Sequence, residues 1–471
     1  MKQEENAKQF KRELNLLDAT LLVVGSMVGS GIFIVSADIA RHTGSAGWLI
    51  LVWIIGGFMT LTAALSYGEL SGMYPKAGGQ YVYLKEAYNP LTAFIYGWSL
   101  FAVIQTGTIA AVGVSFYKFL AYFVPGVSED LELFSIGSFK VSPAQILAIG
   151  LIFILTYINT KGVRGGKWIQ LVFTLTKIAS IAGLIIFGFI YFKADVVHIN
   201  WSDAFQLKKI LPDGSSLSYQ NLPAFGGAIA SALVGAIMSY EAWNNVTFVA
   251  GEINNPKRNI GLSLLLGTLL VTLIYVLLNL MFTMVLPLTE IATPEKDRVG
   301  IAASQAIFGS SGTAIIALLI MVATFGCNNG LILAGARVYY SMAKDGLFFK
   351  KTAKLNQHSV PAYALWIQFV MASILCLSGQ YGDLLDMITF IAVLFYVLTI
   401  IGIYILRVKK PDLERPYKAI GYPVLPAIYI VLGLSFCVLL IIYKPYFTWP
   451  GLIIALIGIP LYYLNKRQQV D

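Results

Sequence analysis

Residues 21–37 read LLVVGSMVGSGIFIVSA, an apolar run with Gly25, Gly29 and Gly31 inside seven positions and Ser26 and Ser30 between them. Each glycine costs up to about 1 kcal/mol in a helix interior relative to alanine, so three together make local unwinding cheap. The same spacing, Gly25-x-x-x-Gly29, also fits a small-residue face for close helix packing. The surroundings decide the class of protein. Of 471 residues, 57% are hydrophobic and 12% charged, and the mean hydropathy is +0.74. That composition excludes a soluble enzyme, a nucleic-acid binder and a disordered chain.

A hydrocarbon core about 30 Å thick needs about 20 apolar helical residues. Uncharged runs of that order occur at 19–37, 42–68, 87–117, 141–160, 214–240, 259–289, 299–336, 359–382, 387–406, 419–443 and 445–465. Another, 168–192, is interrupted only by Lys177. The pattern predicts an all-α integral membrane protein with 12 transmembrane helices, since a barrel would show short alternating segments. Residues 1–18 are polar and predict no cleavable signal. With a cytoplasmic N-terminus, most of the 33 Lys and Arg residues fall in inward segments, so both termini are expected in the cytoplasm. The net charge of +9 then needs no nucleic acid.

The chain divides into a cytoplasmic N-terminal segment (1–16), a first five-helix repeat (17–193) and an extracellular loop (194–222). A second five-helix repeat (223–406), a cytoplasmic link (407–418, RVKKPDLERPYK), two accessory helices (419–465) and a cytoplasmic tail (466–471) complete it. Hydropathy alone carries this division, as ten spans, a charged link and a final pair.

Within a bilayer, broken helix survives only where it lines a cavity. Such breaks offer free N–H groups to anions and free carbonyls to cations. The sixth span, GGAIASALVGAIMSYEAWNNVTFVAGE (226–252), carries Ser239, Tyr240, Glu241, Trp243, Asn244 and Asn245 at mid-depth. A carboxylate there must face water, a partner or a substrate, or else be a neutral carboxyl bonded to a neighbouring helix. Lys177 lies about ten residues into the fifth span, so its ammonium would have to climb about 15 Å at 1.5 Å per residue to reach water. A buried, paired or functional amine is expected there.

Other polar membrane residues divide between lining a site and joining helices. Gln105, Thr106 and Thr108 of the third span fit either role, as do Asn328 and Asn329 in TFGCNNG of the eighth. Glu69 and Glu252, near inner helix ends, are expected to pair with loop arginines or lysines as part of an inner gate. His42, His198 and His358 lie near loops and form no cluster, which predicts no metal. No cofactor motif, catalytic triad or phosphate loop occurs. Cys327, Cys376 and Cys437 fall in spans.

Four blocks in order carry a resemblance. VGSGIF (28–33), YGELSGMYPKAGGQYVYLKEAYNPLTAFIYGW (67–98), SYEAWNNVTFVAGEINNPKRNI (239–260), and ARVYYSMAKDGLFFKK (336–351) with SVPAYAL (359–365) resemble the amino acid–polyamine–organocation transporters. The nearest branch is the L-type amino acid transporters with the bacterial serine/threonine and alanine/serine/cysteine exchangers. The resemblance covers about 12–410 and implies a LeuT-like five-plus-five inverted repeat plus two C-terminal helices, with helices 1 and 6 discontinuous.

It also implies a substrate held between helices 1 and 6. Its carboxylate would sit on the amides of Ser30 and Gly31 near Gly29, and its amino group on carbonyls around Met27, Met238 and Ser239. Glycine suits 29 and 31 because a side chain would block approach to the backbone. Met238 takes the place where relatives gate with an aromatic residue, with Tyr240 and Trp243 as nearby walls. Glu241 departs from the small residue of many relatives: it would attract a cationic group, carry a proton or accept from serine-like substrates.

Sodium-independent members carry a lysine at the position of Lys177, where a sodium ion binds in related symporters. The resemblance implies that its amine bonds backbone near Gly25 or Ser26 and a helix-8 group, for which Thr324 is the candidate. Lys177 is then either a fixed surrogate cation or a proton carrier.

The function implied is sodium-independent secondary amino acid transport at the cell membrane, by exchange or proton coupling, of a neutral or broad range of L-amino acids. The alternatives are a polyamine or cationic amine permease and a non-transporting amino acid sensor. The outward loop 124–141 lacks the cysteine by which animal relatives bond a glycoprotein, so no disulfide-linked heavy subunit is expected.

Overall fold

The glycine-rich stretch does interrupt its helix. The structure, a computed structural model, describes residues 10–127, 131–136, 139–378 and 381–467. Helix α1 (Leu16–Met27) starts on a capping box between Asn15 and Asp18 and stops at Val28, whose backbone is extended. Helix α2 (Gly31–Thr43) resumes after residues 28–30, bent by 44° from α1. The break therefore lies at 28–30, and Gly25 stays inside α1.

Helix α3 (Ala46–Met73) is followed by the short α4 (Gln80–Ala87). Helix α5 (Pro90–Leu120) contains a π-turn at Leu100–Ile104. Helices α6 (Pro143–Thr160) and α7 (Val163–Ile190) complete the first half. The expected loop 194–222 holds α8 (Ala194–Ser202) and an antiparallel hairpin, Lys208–Ile210 with Ser216–Ser218, turned at Gly214.

The second half begins with α9 (Leu222–Ser239), capped by Asn221, and the single turn α10 (Asn245–Phe248). Helices α11 (Pro256–Val285), α12 (Val299–Lys344, interrupted at Gly309), α13 (Ala362–Ser378) and α14 (Tyr381–Lys409) come next. Helices α15 (Val424–Tyr443) and α16 (Pro445–Arg467) end the described chain.

Among the described residues ten helices are long and apolar enough to cross a membrane, or eleven with α1 and α2 taken as one bent span. The run expected at 359–382 forms α13, which at 17 residues is about 26 Å long and falls just short. The chain is a multi-pass helical membrane protein.

Two packed groups frame the interior. Helix α3 packs along α11, α2 along α9, α1 along α11 and α9 against α3. Opposite them, α12 packs on α5 and α7, and α13 on α5 and α6. The cavity lies between these groups.

Candidate functional site

Ending α1 in mid-bundle strips its last carbonyls of helical partners. The last three carbonyls of α1 and that of Val28 just beyond it are each met by a side chain from another helix. The Lys177 ammonium on α7, fully buried, donates to Gly25 O at 2.6 Å and to Val28 O at 2.7 Å. The Cys327 thiol on α12 donates to Ser26 O at 2.9 Å. The Tyr275 hydroxyl on α11 donates to Met27 O at 3.0 Å and also reaches Ser239 O at 3.0 Å. One phenol thus spans the ends of both broken helices.

The second break needs no glycine. Helix α9 ends at Ser239, and residues 240–244 form turns before α10. Ala242 holds φ at +70°, a left-handed conformation that alanine seldom adopts. Such strain persists only where packing over-determines it. Here Tyr240 is pinned by its hydroxyl to Trp53 O at 3.1 Å, and Trp243 lies against the Tyr67 and Tyr396 rings at 4.7 and 5.2 Å.

Between the breaks lies a small cavity. Ser26, Met27, Gly29, Ser30 and Gly31 line one wall, and Met238, Ser239, Glu241 and Ala242 another. Thr108, Ala111 and Val112 of α5 and Cys327 and Leu331 of α12 close the remainder. Phe33 N–H donates back to Ser30 O at 3.0 Å, while the amides before it at this helix start have no intrahelical acceptor, an arrangement suited to an anion. A Cβ at Gly31 would lie 2.9 Å from Ser239 Oγ, and one at Gly29 3.0 Å from Cys327 Sγ. Both glycines therefore keep the backbone within reach of the cavity. The Glu241 carboxylate accepts from Tyr396 OH at 2.5 Å at the cavity wall.

Several expected residues stand elsewhere. Tyr240 and Trp243 turn away from the cavity toward α3 and α14. Gln105 donates to Leu331 O at 2.8 Å, and Thr106 to Phe101 O at 2.7 Å, so Thr108 alone of that trio lines the space. Asn328 is fully buried behind the wall near Gly113, and its neighbour Asn329 accepts from Asn159 at 2.9 Å. Thr324 donates to Ile320 O in its own helix at 2.9 Å; the α12 group at the first break is Cys327. Sequence reading also missed Tyr275 and Tyr396, whose only signal was a phenol inside an apolar run.

One end of the cavity is sealed. Arg337 donates to Glu252 at 2.9 Å with both side chains 1% exposed, and the amides of Glu13 and Leu14 donate to Glu252 O at 3.0 Å. Gln80 joins Asn244 and Thr399, each at 3.0 Å. Glu69 receives Arg407 through two bonds of 3.0 and 2.7 Å. Glu252 is thus paired with a helix arginine on α12 and not with the loop residue expected, while Glu69 takes both a helix arginine, Arg407 of α14, and an arginine of the link, Arg415 at 3.4 Å. Among the described residues, no group of three or more His, Cys, Asp or Glu is placed to hold a metal.

A family profile described as amino acid permease matches residues 14–462. The chain is 29% identical to the human b(0,+)-type amino acid transporter 1, covering 98% of this chain and 89% of that protein. It is 29% identical to the serine/threonine exchanger SteT of Bacillus subtilis over the full length of both. It is 28% identical to the human large neutral amino acids transporter small subunit 2, over 98% of this chain and 81% of the relative.

Proposed function

Because this chain belongs to the amino acid permease family, we infer that it is a sodium-independent secondary amino acid transporter working by alternating access. The observation that carries the reading is the pair of helix breaks facing one cavity, α2 offering amides and α1 and α9 offering carbonyls. A zwitterion replaces the missing backbone bonds at both ends: its carboxylate sits on the amides of Ser30 and Gly31, its amino group on the carbonyls of Met27 and Ser239. Each carbonyl has two lone pairs, so the Tyr275 contact leaves room for the ammonium.

Lys177 supplies the positive charge that would otherwise call for a metal cation at the first break. An ammonium fixed to two carbonyls removes the need for sodium. The name of the SteT relative, an exchanger, supports exchange as the mode. The two-repeat organisation is supported by reciprocal packing: α1 lies on α11 as α9 lies on α3. We read the termini as cytoplasmic and the membrane as the cell membrane, from the basic residues of the inward segments. Cys327, Cys376 and Cys437 are all buried, which supports a transporter without a disulfide-linked subunit.

Glu241 sets the substrate range in this reading. Its carboxylate at the wall favours side chains that carry a cation or a hydroxyl over those that are purely apolar. The test is uptake of labelled amino acids into proteoliposomes preloaded with unlabelled amino acid, with choline replacing sodium. Uptake stimulated by the internal amino acid, equal in sodium and choline, is expected; a sodium requirement overturns the reading. Glu241→Gln should lower kcat/KM about tenfold for cationic or hydroxylated substrates and spare alanine, a loss of about 1.4 kcal/mol. Equal kinetics for every substrate would remove Glu241 from the pocket.

A further inference from the structure

The charged link after α14 does more than connect two spans. Glu69, wholly buried at the end of α3, gathers donors from three places. Arg407 from α14 makes the two bonds already described, Arg415 approaches at 3.4 Å, and the amide of Ala419 donates at 2.7 Å. Arg415 in turn donates to the carbonyls of Leu406, Lys410, Pro411 and Leu413, folding the link onto the end of α14.

Beyond it, Tyr417 is wedged between α3 and α11. A Cβ at Gly68 would lie 2.6 Å from its ring, and one at Gly261 3.6 Å away. A side chain at Gly68 would push the ring out, whereas a Cβ at Gly261 would only touch it, so Gly68 makes the seat and Gly261 its opposite wall. Lys257 at the start of α11 closes the far side, 2.7 Å from Glu414.

These contacts cross between bodies that transport must separate. Glu69, Gly68, Gly261 and Lys257 belong to the α3–α11 group, whereas Arg407 belongs to α14, which packs mainly on α4 and α5 and less on α3 and α9. The crossing lies on the same end of the bundle as the Glu252–Arg337 seal. We propose that the link 407–419 is a brace locking that end of the cavity shut, with Glu69 and Tyr417 as positioning residues that must release before substrate passes. The proposal rests on the alternating-access reading above. Opening there parts Glu69 from Arg407 or draws Tyr417 from its glycine seat. The buried Glu69 pair resists this because an unpaired charge is costly in the interior.

The test joins the brace covalently. Lys257→Cys with Glu414→Cys, bridged by a short bifunctional maleimide in liposomes, targets the introduced pair; Cys376 and Cys437 are buried, and Cys327, which lines the cavity, is controlled by the same reagent on the protein without the introduced pair. Cross-linking should cut amino acid exchange more than about tenfold while binding of the same labelled amino acid persists, since only the opening step is blocked. A monofunctional maleimide should leave exchange intact. Unchanged exchange after complete cross-linking overturns the brace.

If the unlinked pair exchanges no amino acid, it is the transport reading that fails. The brace is then judged by maleimide labelling of Asn245→Cys, a position 1% exposed on α10. Tyr417→Ala should raise that labelling about fivefold by populating the open state; equal labelling overturns the proposal.

Discussion

Gly31→Leu should abolish amino acid binding while the purified protein keeps its normal elution profile in detergent. The smallest addition, a Cβ, would sit 2.9 Å from Ser239 Oγ and 3.5 Å from Ser239 Cβ. The remaining leucine atoms must occupy the space between the two helix breaks, because α2 points its first turn there. Two consequences add. The cavity loses the volume for an α-carbon, and the α2 amides lose their approach to a carboxylate. The expected loss of affinity is at least about 100-fold, or ~2.7 kcal/mol. Packing strain in the folded protein should stay near 1–3 kcal/mol, within what a helical bundle survives. Equilibrium binding of a labelled amino acid is the check, and near-normal affinity in the variant would remove the carboxylate from this helix start.

Lys177→Ala should be the other severe variant, and it acts on a different quantity. Its ammonium alone satisfies Gly25 O and Val28 O, both in the interior. Deleting it leaves two buried carbonyls unpaired, each at a cost of about 1–3 kcal/mol. The first break then closes into continuous helix or admits water, and in either case its geometry is lost. Exchange should fall at least about 100-fold, a loss within the range for stripping a partner from a buried charged contact. Lys177→Arg should rescue little, since a planar five-donor fork does not fit a site built for a compact ammonium. Exchange rates in proteoliposomes at matched protein content check both. Wild-type exchange by Lys177→Ala would show that the break does not depend on this amine.

The features legible in the sequence were those with a local energetic signature. Three glycines in seven residues mark a weak helix, and the structure breaks three residues beyond the first of them. Lys177 is too deep to snorkel, and it is found wholly buried on backbone carbonyls. The second break has no such mark. Ala242 at φ +70° is imposed by aromatic packing from α3 and α14, which no window around residue 242 contains.

The partners of the orphan carbonyls were hidden for a related reason. Thr324 and Cys327 share one face of α12 a turn apart, so periodicity identifies the face but leaves the height open by about 5 Å. The hydroxyl of Thr324 then settles on its own helix, as buried threonines do. On α5 the π-turn at 100–104 inserts a residue and rotates the turns C-terminal to it. Thr106 consequently bonds Phe101 O five residues back, and Thr108 meets the cavity. Tyr275 reads in sequence as one more aromatic in an apolar span; only the meeting of two helix ends beside it gives its hydroxyl two acceptors.

Backbone at the two helix breaks recognises the α-amino and α-carboxyl groups together, whatever the side chain; every other role assigned to this site depends on that. Competition against a bound labelled amino acid by its decarboxylated amine and by its 2-hydroxy acid tests it directly. Each analogue removes one charged group and leaves the rest of the molecule unchanged. Both should compete at least about 100-fold more weakly than the parent, since each strands one set of buried polar groups. An amine that competes as well as the amino acid itself would contradict the account.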